Sequence, residues 1–285
     1  MIKANDIQTI EVGSPAYPAE WQSLPDKPQQ VYAVGRVALL TARKFTVVGS
    51  RTANAVATKL GKEISKALSY SFAVITGTAE GGDTAAIEGA LAGSGNVICV
   101  LAGGFAAVPQ GNWEVLERVA KRGLVLSPHS FDTPVRNFSY EYRNKLLAAL
   151  GKGTLVLSAG EKSGALITGK YTKKQGKPLF ALPYAPNSPV GAGCNRLIKE
   201  GAYLVENAND VFERLGMEAQ AEKPPLVLTA DEEAMYRALQ ETGEAHAAAV
   251  AERAGIPIFK AKGILASLEV KGAVLSLGAN RYTII

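Results

Sequence analysis

Short apolar runs alternate with helix-like stretches through most of the chain. The runs are rich in Val, Ile and Leu without polar alternation, which is typical of strands buried on both faces of a parallel sheet. Predicted strands cover 45–48, 72–76, 97–101, 124–127, 154–158 and 179–182, with a further short strand at 202–205. Predicted helices lie near 54–69, 83–92, 112–121, 141–150, 164–175, 193–199 and 209–215. This alternation predicts an α/β fold built on an extended Rossmann-like parallel sheet.

The pattern changes at both ends of this region. Residues 1–43 are Pro-rich and irregular, with an extended stretch at 32–34, and we expect them to pack as an N-terminal extension on a 44–222 domain. Lys223-Pro224-Pro225 predicts a linker, because proline lacks the backbone N–H that would continue a helix. Residues 226–285 contain three helical segments followed by two short strands. This is the plan of a small C-terminal winged-helix domain.

Small residues follow two of the predicted strands, where the chain turns into a helix. The first loop holds Gly49, Ser50 and Arg51, and the second holds Gly77, Gly81 and Gly82. The carboxyl ends of parallel strands meet at one edge of a sheet, where helix N-termini attract phosphate. Arginine can hold such an anion with two parallel hydrogen bonds. The alternative is a tight structural turn with an arginine on the surface, and Asp83 is expected to be an N-cap rather than an acid.

Two more helix starts carry residues suited to a nucleic acid. One holds Tyr140, Arg143, Asn144 and Lys145, and the other holds Ser163, Gly164 and Thr168. Basic side chains contact phosphates, and an aromatic ring offers a stacking face for a base. The alternative is that Tyr140 and Tyr142 pack under the sheet edge. We predict that both helix starts join the two glycine loops in one phosphate-binding edge.

The formal net charge of +5 is unevenly distributed along the chain. Residues 136–177 hold nine Lys and Arg against two Glu, a local excess of +7. A polyanion is the natural partner for such a segment, although solvated lysines on helix faces would give the same count. Residues 225–285 carry a formal net charge of −1, so we expect that the small domain is not the main DNA-binding domain.

The sequence lacks the motifs that are typical of metal, nucleotide-cofactor and catalytic sites. Cys99 and Cys194 have no CxxC spacing, which argues against zinc or a disulfide framework and favours a reducing compartment. The chain has no Walker motif and no GxGxxG, and its two histidines stand apart from any telling pair of carboxylates. No apolar run has the character of a signal peptide or a membrane span. We expect a cytoplasmic protein that uses no cofactor, is not an enzyme and does not contact a membrane.

Five motifs, taken in order, resemble the DNA-processing protein A family, which is also called DprA or Smf. They are Gly49-Ser50-Arg51, the loop and helix from Gly77 to Leu91, the helix start from Tyr140 to Lys145, the helix start from Ser163 to Thr168, and the segment from Gly193 to Ala202. The resemblance runs from about residue 15 to the C-terminus. It implies an extended Rossmann fold that binds single-stranded DNA without known catalysis. It also implies a homodimer, and loading of the RecA recombinase during natural transformation.

The chain departs from the family pattern at four places. Ile87 stands where histidine is common, Tyr140-Glu141 replaces a phenylalanine followed by proline, Lys145 is the third basic residue of the helix start, and Ser127-Pro128 replaces serine-glutamate. The chain is therefore identified as a divergent member. The alternative function is a Rossmann-type nucleotide-binding sensor or a phosphoribohydrolase-like enzyme, in which Glu88 would loosely replace the catalytic glutamate.

Overall fold

The computed structural model describes residues 2–218, 228–271 and 273–284. The chain divides into two compact units, Met1–Glu222 and Lys223–Ile285. The predicted linker Lys223-Pro224-Pro225 lies outside the described residues. Within the described part of the chain, no helix is both long and apolar enough to cross a membrane.

The larger unit is built on a sheet of nine strands among its described residues. In chain order these are β1 (Gln8–Glu11), β2 (Gln30–Gly35), β3 (Lys44–Val48), β4 (Ala73–Thr76), β5 (Val97–Val100), β6 (Leu124–Ser127), β7 (Thr154–Val156), β8 (Leu179–Ala181) and β9 (Tyr203–Leu204). Their order across the sheet is β1-β2-β6-β5-β4-β3-β7-β8-β9, and the pairs from β6 to β9 are all parallel. The predicted parallel sheet is therefore confirmed.

Seven α-helices in the described part of the larger unit cover the two faces of this sheet. They are α1 (Ala55–Ser69), α2 (Gly82–Ala92), α3 (Trp113–Arg122), α4 (Asn137–Leu150), α5 (Ala165–Lys174), α6 (Ala192–Lys199) and α7 (Ala208–Arg214). Successive strand residues point to opposite faces, so Phe45 and Val47 enter the core beneath α1, α2, α3 and α7, whereas Val48 enters the core beneath α4, α5 and α6. Both faces are apolar, which explains the uninterrupted apolar runs.

The N-terminal segment is more regular than its sequence predicted. β1 pairs with β2, and β2 pairs with β6, both antiparallel, so the segment extends the parallel sheet by two strands. In β2, Val31 and Ala33 are buried, while Tyr32 and Val34 are only half-buried. Trp21 is fully buried, and its indole Nε1 donates a hydrogen bond of 3.0 Å to the carbonyl of Leu146 in α4. The extended stretch predicted at 32–34 lies within β2 and is confirmed. β1 was not predicted, and the pairing of β2 with β6 was missed because that partner lies far along the chain.

The order of strands contains one reversal. The chain adds β4, β5 and β6 on one side of β3, and then returns to place β7 on the other side of β3. The loops that follow β3 and β7 therefore diverge at the carboxyl edge of the sheet. In open α/β sheets, ligands bind in the crevice at such a point.

Residues 228–271 and 273–284 of the smaller unit combine three helices with a three-stranded antiparallel sheet. The helices are α8 (Ala230–Thr242), α9 (Ala247–Arg253) and α10 (Ile258–Val270), and the strands are β10 (Glu244–His246), β11 (Val274–Gly278) and β12 (Arg281–Ile284), in the order β10-β12-β11. Its own core includes Met235, Leu239, Val250 and Leu265. β10 was not predicted from the sequence. The assignment as a winged helix stays a prediction.

Candidate functional site

A cavity of about 450 Å³ opens at the carboxyl edge between β3 and β7, and we call it the switch-point cavity. Most of the predicted site residues line it, namely Gly49, Ser50, Arg51, Tyr140, Arg143, Asn144, Ser163, Gly164 and Thr168. They come from the loop after β3, from α4 and from the start of α5. The fold thus brings three separate sequence motifs to one place.

Gly77, Gly81 and Gly82 do not line this cavity. A Cβ on Gly82 would lie 2.3 Å from the Cα of Gly49, and one on Gly81 would lie 2.5 Å from the carbonyl oxygen of Ser50. Gly81 also has a φ of +79°, which favours glycine. Gly81 and Gly82 thus allow the loops after β3 and β4 to pack backbone against backbone, whereas a Cβ on Gly77 would clash with the side chains of Arg143 and Asp83. Their structural contribution is loop packing rather than lining of the cavity.

The carboxylate of Asp83 holds the same two loops together. It accepts hydrogen bonds from the backbone N–H of Gly49 at 3.3 Å and from that of Ala79 at 3.2 Å. Asp83 lies in the first turn of α2, whose N-cap is Gly81, so the expectation that Asp83 caps the helix was wrong. Burial raises the pKa of Asp83, and the positive charge of Arg143 opposes that shift. A carboxylate in this position stabilises the loop geometry.

The guanidinium of Arg143 forms hydrogen bonds within the protein. Its side chain is buried, its Nε donates to Asn144 Oδ1 at 3.0 Å, and its Nη1 donates to the carbonyl of Val100 at 3.3 Å. Burial lowers the pKa of its guanidinium, while the negative charge of Asp83 opposes this shift. Asn144 in turn donates from Nδ2 to the carbonyl of Gly164 at 3.1 Å. This chain of contacts links the end of β5, α4 and the start of α5 beneath the cavity.

The rim of the cavity is formed by Arg51 and Tyr140. The Arg51 side chain is exposed, and its guanidinium carbon lies 5.7 Å from the centroid of the Tyr140 ring. Tyr140 itself is 41% exposed, so its ring is not packed under the sheet edge. Both residues also line a second cavity of about 310 Å³, with Leu101, Val108 and Pro109 among its apolar residues. We call it the side cavity.

Ser50 and Ser158 connect the two diverging loops. The backbone N–H of Ser50 donates to the Ser158 carbonyl at 2.9 Å, and the two hydroxyl oxygens lie 3.0 Å apart. Ser50, which was predicted to belong to the phosphate-binding edge, thus has a hydroxyl partner within the protein. Ser158 itself was not predicted as a site residue, since nothing in its local sequence separates it from other strand-end serines.

The start of α5 supplies the other wall of the cavity. Ser163 Oγ accepts a hydrogen bond of 3.3 Å from the N–H of Ala165, and Thr168 Oγ1 is buried without a hydrogen-bond partner among the described residues. Lys162, which was not predicted as a site residue, also lines the cavity. Its position directly before the Ser163-Gly164 motif was the signal that could have identified it. A cation and a helix N-terminus therefore face the same space, and both favour an anion.

Lys145 is not brought into the cavity. Its ammonium group forms an ion pair with Asp26 of the N-terminal segment. Successive residues of a helix point about 100° apart, so Arg143, Asn144 and Lys145 cannot all face one cavity. Lys145 was grouped with its neighbours because they are adjacent in sequence.

A groove continues from the cavity along α5 and α6, and we call it the α5 groove. It encloses about 640 Å³ and shares Lys162 and Ser163 with the switch-point cavity. Basic side chains lie along it, namely Lys162, Lys170, Lys173, Lys174 and Arg196, together with Glu161 and Glu200. The part of the positive segment 136–177 that belongs to α5 is therefore continuous with the cavity.

Comparison with known proteins identifies relatives of this chain. A family profile described as DNA recombination-mediator protein A matches residues 8–216. The DNA processing protein DprA of Bacillus subtilis is 32% identical over 212 residues, which cover 73% of this chain and 71% of that protein. The DprA of Streptococcus pneumoniae is 32% identical over 197 residues, which cover 69% of this chain and 70% of that protein.

Two solved structures share the fold. The X-ray structure of S. pneumoniae DprA matches with a TM-score of 0.69 at 29% identity, covering 75% of each chain. A structure of Helicobacter pylori DprA, described for its single-stranded DNA binding mode, matches with a TM-score of 0.68 at 26% identity, covering 77% of this chain and 100% of that one. With the profile and the relatives, these matches show that this chain belongs to the DNA recombination-mediator protein A family, the family of DprA and Smf.

Proposed function

We propose that this chain is a cytoplasmic, non-catalytic protein that binds single-stranded DNA at the switch-point cavity. The observation that carries the proposal is the Arg51–Tyr140 rim, where an exposed guanidinium stands beside an exposed aromatic ring. A nucleotide can place its phosphate against the Arg51 guanidinium and its base against the Tyr140 ring. A cation that contacts the phosphate, together with an aromatic ring that stacks on the base, is the usual means of binding a single strand without sequence preference.

The cavity adds an anion site to this rim. Lys162 and the N-terminus of α5 face the same space as Arg51. A phosphate there gains from two cations and from the positive end of the helix dipole. Phosphates of neighbouring nucleotides then lie near Arg51 and near Lys162, with a base against Tyr140.

The geometry favours a single strand over a duplex. In a duplex the bases are stacked inside, and only phosphates, sugars and base edges are accessible. Contact between a base face and Tyr140 requires an unstacked base. The cavity of about 450 Å³ has the size of a small-ligand site and admits a single nucleotide far more readily than a helix.

The α5 groove offers a path for the rest of the strand. It begins at Lys162, which also lines the cavity, and it continues past Lys170 and Lys174. Leu166 and Ile167, which are half-buried, lie among these cations and provide apolar contact for bases. A strand that leaves the cavity over Lys162 therefore remains in positive potential. We include in the proposal a homodimer and transfer of the strand to RecA during natural transformation, both of which rest on family membership.

Binding of a labelled oligo-thymidine and of the matching duplex, measured by fluorescence anisotropy over a salt series, tests the proposal. We expect tighter binding of the single strand. The logarithm of affinity should fall with the logarithm of salt concentration, with a slope of about −0.7 per neutralised phosphate. Equal or tighter binding of the duplex, or affinity that does not depend on salt, would refute the proposal.

A second candidate is binding or cleavage of a free nucleotide, which the size of the switch-point cavity would allow. The enzymatic form is weakly supported, because Glu88 is bound to Arg118 through two hydrogen bonds of 2.8 and 3.0 Å and does not line the cavity. Asp83 is the one acidic residue among the described residues that do line it. Incubation with a panel of nucleotides should release no product. Turnover that is lost in Glu88→Gln or Glu161→Gln would establish the enzyme instead.

A further inference from the structure

The side cavity shares its rim with the switch-point cavity and has other walls of its own. Arg51, Tyr140 and Arg143 line both cavities. Most of the remaining walls of the side cavity come from the loop after β4, which includes Glu80, and from the loop after β5, which includes Val108. A nucleotide held at the rim therefore has a second space next to it, besides the switch-point cavity.

Backbone contacts fix one wall of the side cavity. In the loop after β5, the N–H of Gly104 donates to the Thr133 carbonyl at 2.8 Å, and the N–H of Ala106 donates to the Phe131 carbonyl at 3.0 Å. A Cβ on Gly104 would lie 2.1 Å from the carbonyl oxygen of Phe131, so only glycine allows this close approach. The side cavity is therefore largely preformed, as small-ligand sites usually are.

The size and the apolar walls of the side cavity suit a nucleobase. Leu101, Val108, Pro109 and Val135 contribute apolar surface to it. Its volume of about 310 Å³ lies at the lower end of the range of ligand sites. A nucleobase is planar, with faces that stack on apolar groups and edges that carry the hydrogen-bonding groups. Selectivity among the bases then depends on the few polar groups of the cavity.

Asn112 supplies a hydrogen-bond acceptor to this cavity. It lines the cavity, and its Nδ2 donates to the Thr78 carbonyl at 2.7 Å. A carbonyl only accepts, so this bond fixes the orientation of the amide and leaves Oδ1 without a partner among the described residues. Asn112 is also the N-cap residue of α3, yet its side chain makes no capping hydrogen bond there. The amide is thus held by the loop after β4 rather than by the helix that it precedes.

Glu80 is a second acceptor at the side cavity. Its side chain is exposed and has no hydrogen bond or ion pair among the residues that the structure describes. Glu88 differs, because its carboxylate is bound by Arg118. A free carboxylate near Arg51 repels phosphate, so it is unfavourable in a site that contacts only the sugar-phosphate backbone. It becomes favourable where the ligand offers hydrogen-bond donors.

Two acceptors match the exocyclic amino group of a base. The amino groups of cytosine, adenine and guanine each carry two N–H donors. Thymine and uracil have a carbonyl oxygen at the position that the amino group occupies in cytosine. Such an oxygen would face Asn112 Oδ1 and the Glu80 carboxylate with no proton between them. Burial of thymine or uracil would therefore leave these polar groups unpaired, which is costly.

We propose that the side cavity is a second nucleotide subsite, which takes one base and prefers a base with an exocyclic amino group over thymine and uracil. Asn112 and Glu80 accept hydrogen bonds from the amino group, Val108 contacts the face of the base, and Arg51 holds the adjoining phosphate. The proposal rests on the single-strand binding proposed above and adds a selectivity to it. The contacts at Tyr140 and in the α5 groove do not depend on the base, so the preference is moderate.

Two homopolymers that differ at the amino group test this preference. Oligo-deoxycytidine and oligo-deoxyuridine of equal length are titrated with the full chain at mildly alkaline pH, where both stay single-stranded, and binding is followed by fluorescence anisotropy. We expect oligo-deoxycytidine to bind about fivefold more tightly or better, because a matched set of hydrogen bonds discriminates between bases. Equal affinities, or tighter binding of oligo-deoxyuridine, would overturn the proposal.

Glu80→Gln tests the acceptor. A glutamine amide can donate to the uracil oxygen as well as accept from the cytosine amino group, so the ratio of the two affinities should fall toward one. The lost negative charge should raise both affinities by the same factor, which leaves the ratio unaffected. Glu161→Gln is the matched control, because Glu161 is an exposed glutamate that lines the α5 groove. A ratio that stays parental in Glu80→Gln, or changes equally in both variants, would contradict the proposal.

Filling the side cavity provides an independent test. Ala107 is half-buried and lines the cavity, so the ring of Ala107→Phe should occupy part of it. The ratio of affinities should again fall toward one, while oligo-deoxyuridine keeps most of its affinity through the rim and the α5 groove. A parental ratio in Ala107→Phe would show that the preference arises elsewhere and would refute the subsite.

The same titrations separate this proposal from the function proposed above. If both homopolymers bind with equal affinity and Arg51→Ala weakens both, single-strand binding stands and the base preference alone is refuted. If neither homopolymer binds, both proposals are refuted. A preference for oligo-deoxycytidine that disappears in Glu80→Gln and in Ala107→Phe, but not in Glu161→Gln, supports both.

Discussion

The guanidinium of Arg51 lies beside the ring of Tyr140, with its central carbon 5.7 Å from the ring centroid. The two residues come from different parts of the chain, the loop after β3 and helix α4. A cation near an aromatic face is held by the ring electrons while it keeps its hydrogen-bond donors free. The pair therefore offers one nucleotide both a phosphate contact and a stacking surface.

Replacement of Arg51 tests the charge in this pair. We expect Arg51→Ala to weaken single-strand binding by about 1.5–3 kcal/mol, because charge-assisted hydrogen bonds to phosphate are lost. Arg51→Lys should give an intermediate loss, since it keeps the charge without the planar fork. The control is Lys173→Ala, because Lys173 Nζ already donates to the Glu200 carbonyl at 2.8 Å. Equal losses for Arg51→Ala and Lys173→Ala in titrations at one salt concentration would point to a diffuse basic surface instead.

Replacement of Tyr140 tests the stacking surface. Tyr140→Phe keeps the ring, so affinity for a single strand should change little. Tyr140→Ala should cost about 1–3 kcal/mol, the usual range for one stacked base. The loss should persist at high salt, because stacking does not release counterions. A loss in Tyr140→Phe as large as in Tyr140→Ala would assign the effect to the hydroxyl and contradict the stacking role.

Gly82 is expected to be intolerant of a side chain. The Cβ of Gly82→Ala would lie 2.3 Å from the Cα of Gly49, so the loops after β3 and β4 must separate. We expect a loss of about 1–3 kcal/mol in the free energy of unfolding, together with weaker DNA binding. Gly111→Ala is the matched control, since nothing lies within 4 Å of its Cβ. Thermal unfolding of both variants tests this prediction. Equal stability of the two variants would show that the loops after β3 and β4 can separate at little cost in free energy.

The larger unit should carry most of the DNA affinity. Residues 225–285 have a charge balance of −1, and the exposed face of α10 is apolar, so the smaller unit lacks long-range attraction for DNA. A fragment ending near residue 222 should keep most of the single-strand affinity, and an isolated 225–285 fragment should bind weakly. Titration of both fragments with the same oligonucleotide decides this. If the 225–285 fragment alone retained the affinity, the DNA-binding site would not be the switch-point cavity.

The smaller unit should be sensitive to acid through Glu232. Its carboxylate accepts hydrogen bonds from Lys271 Nζ, Ser267 Oγ and the N–H of Thr229, each at 2.7 Å. These hydrogen bonds, of which that from the Lys271 ammonium has the largest effect, lower the pKa of Glu232 from 4.5 to about 2. A lowered pKa in the folded state contributes stability above the unfolded value, and this contribution is lost as pH falls from about 4.5 toward 2.

Amide exchange of α8 and α10 measures this contribution in the full chain. At pH 7, Glu232→Gln should exchange faster than the parent protein, and the difference should shrink as the pH falls below about 4.5. Glu233→Gln is the control, because its partner Arg237 lies on the same exposed helix surface, 71% exposed. A difference that stays constant with pH would show that the ionised carboxylate is not what stabilises α8 and α10.

The parallel strands, the helices between them and the loops of the site could be predicted from the sequence alone. Val74 and Ile75 belong to cores on opposite faces of the sheet, so consecutive positions of β4 had to be apolar, and that pattern is local. The motif at Gly49, Ser50 and Arg51 follows its strand directly, and the carboxyl ends of parallel strands share one edge. Local pattern and general topology together were enough to place Arg51 near a second loop.

Only the tertiary structure decided which side chains meet. Lys145 and Asp26 form an ion pair across 119 positions of sequence, and β2 pairs with β6 in the same long-range manner. Asp83 holds two loops through backbone N–H groups that no side-chain pattern reveals. The physical reason is that propensity and periodicity act over a few residues, whereas the role of a polar side chain depends on the partners that long-range packing places within 3 to 4 Å of it.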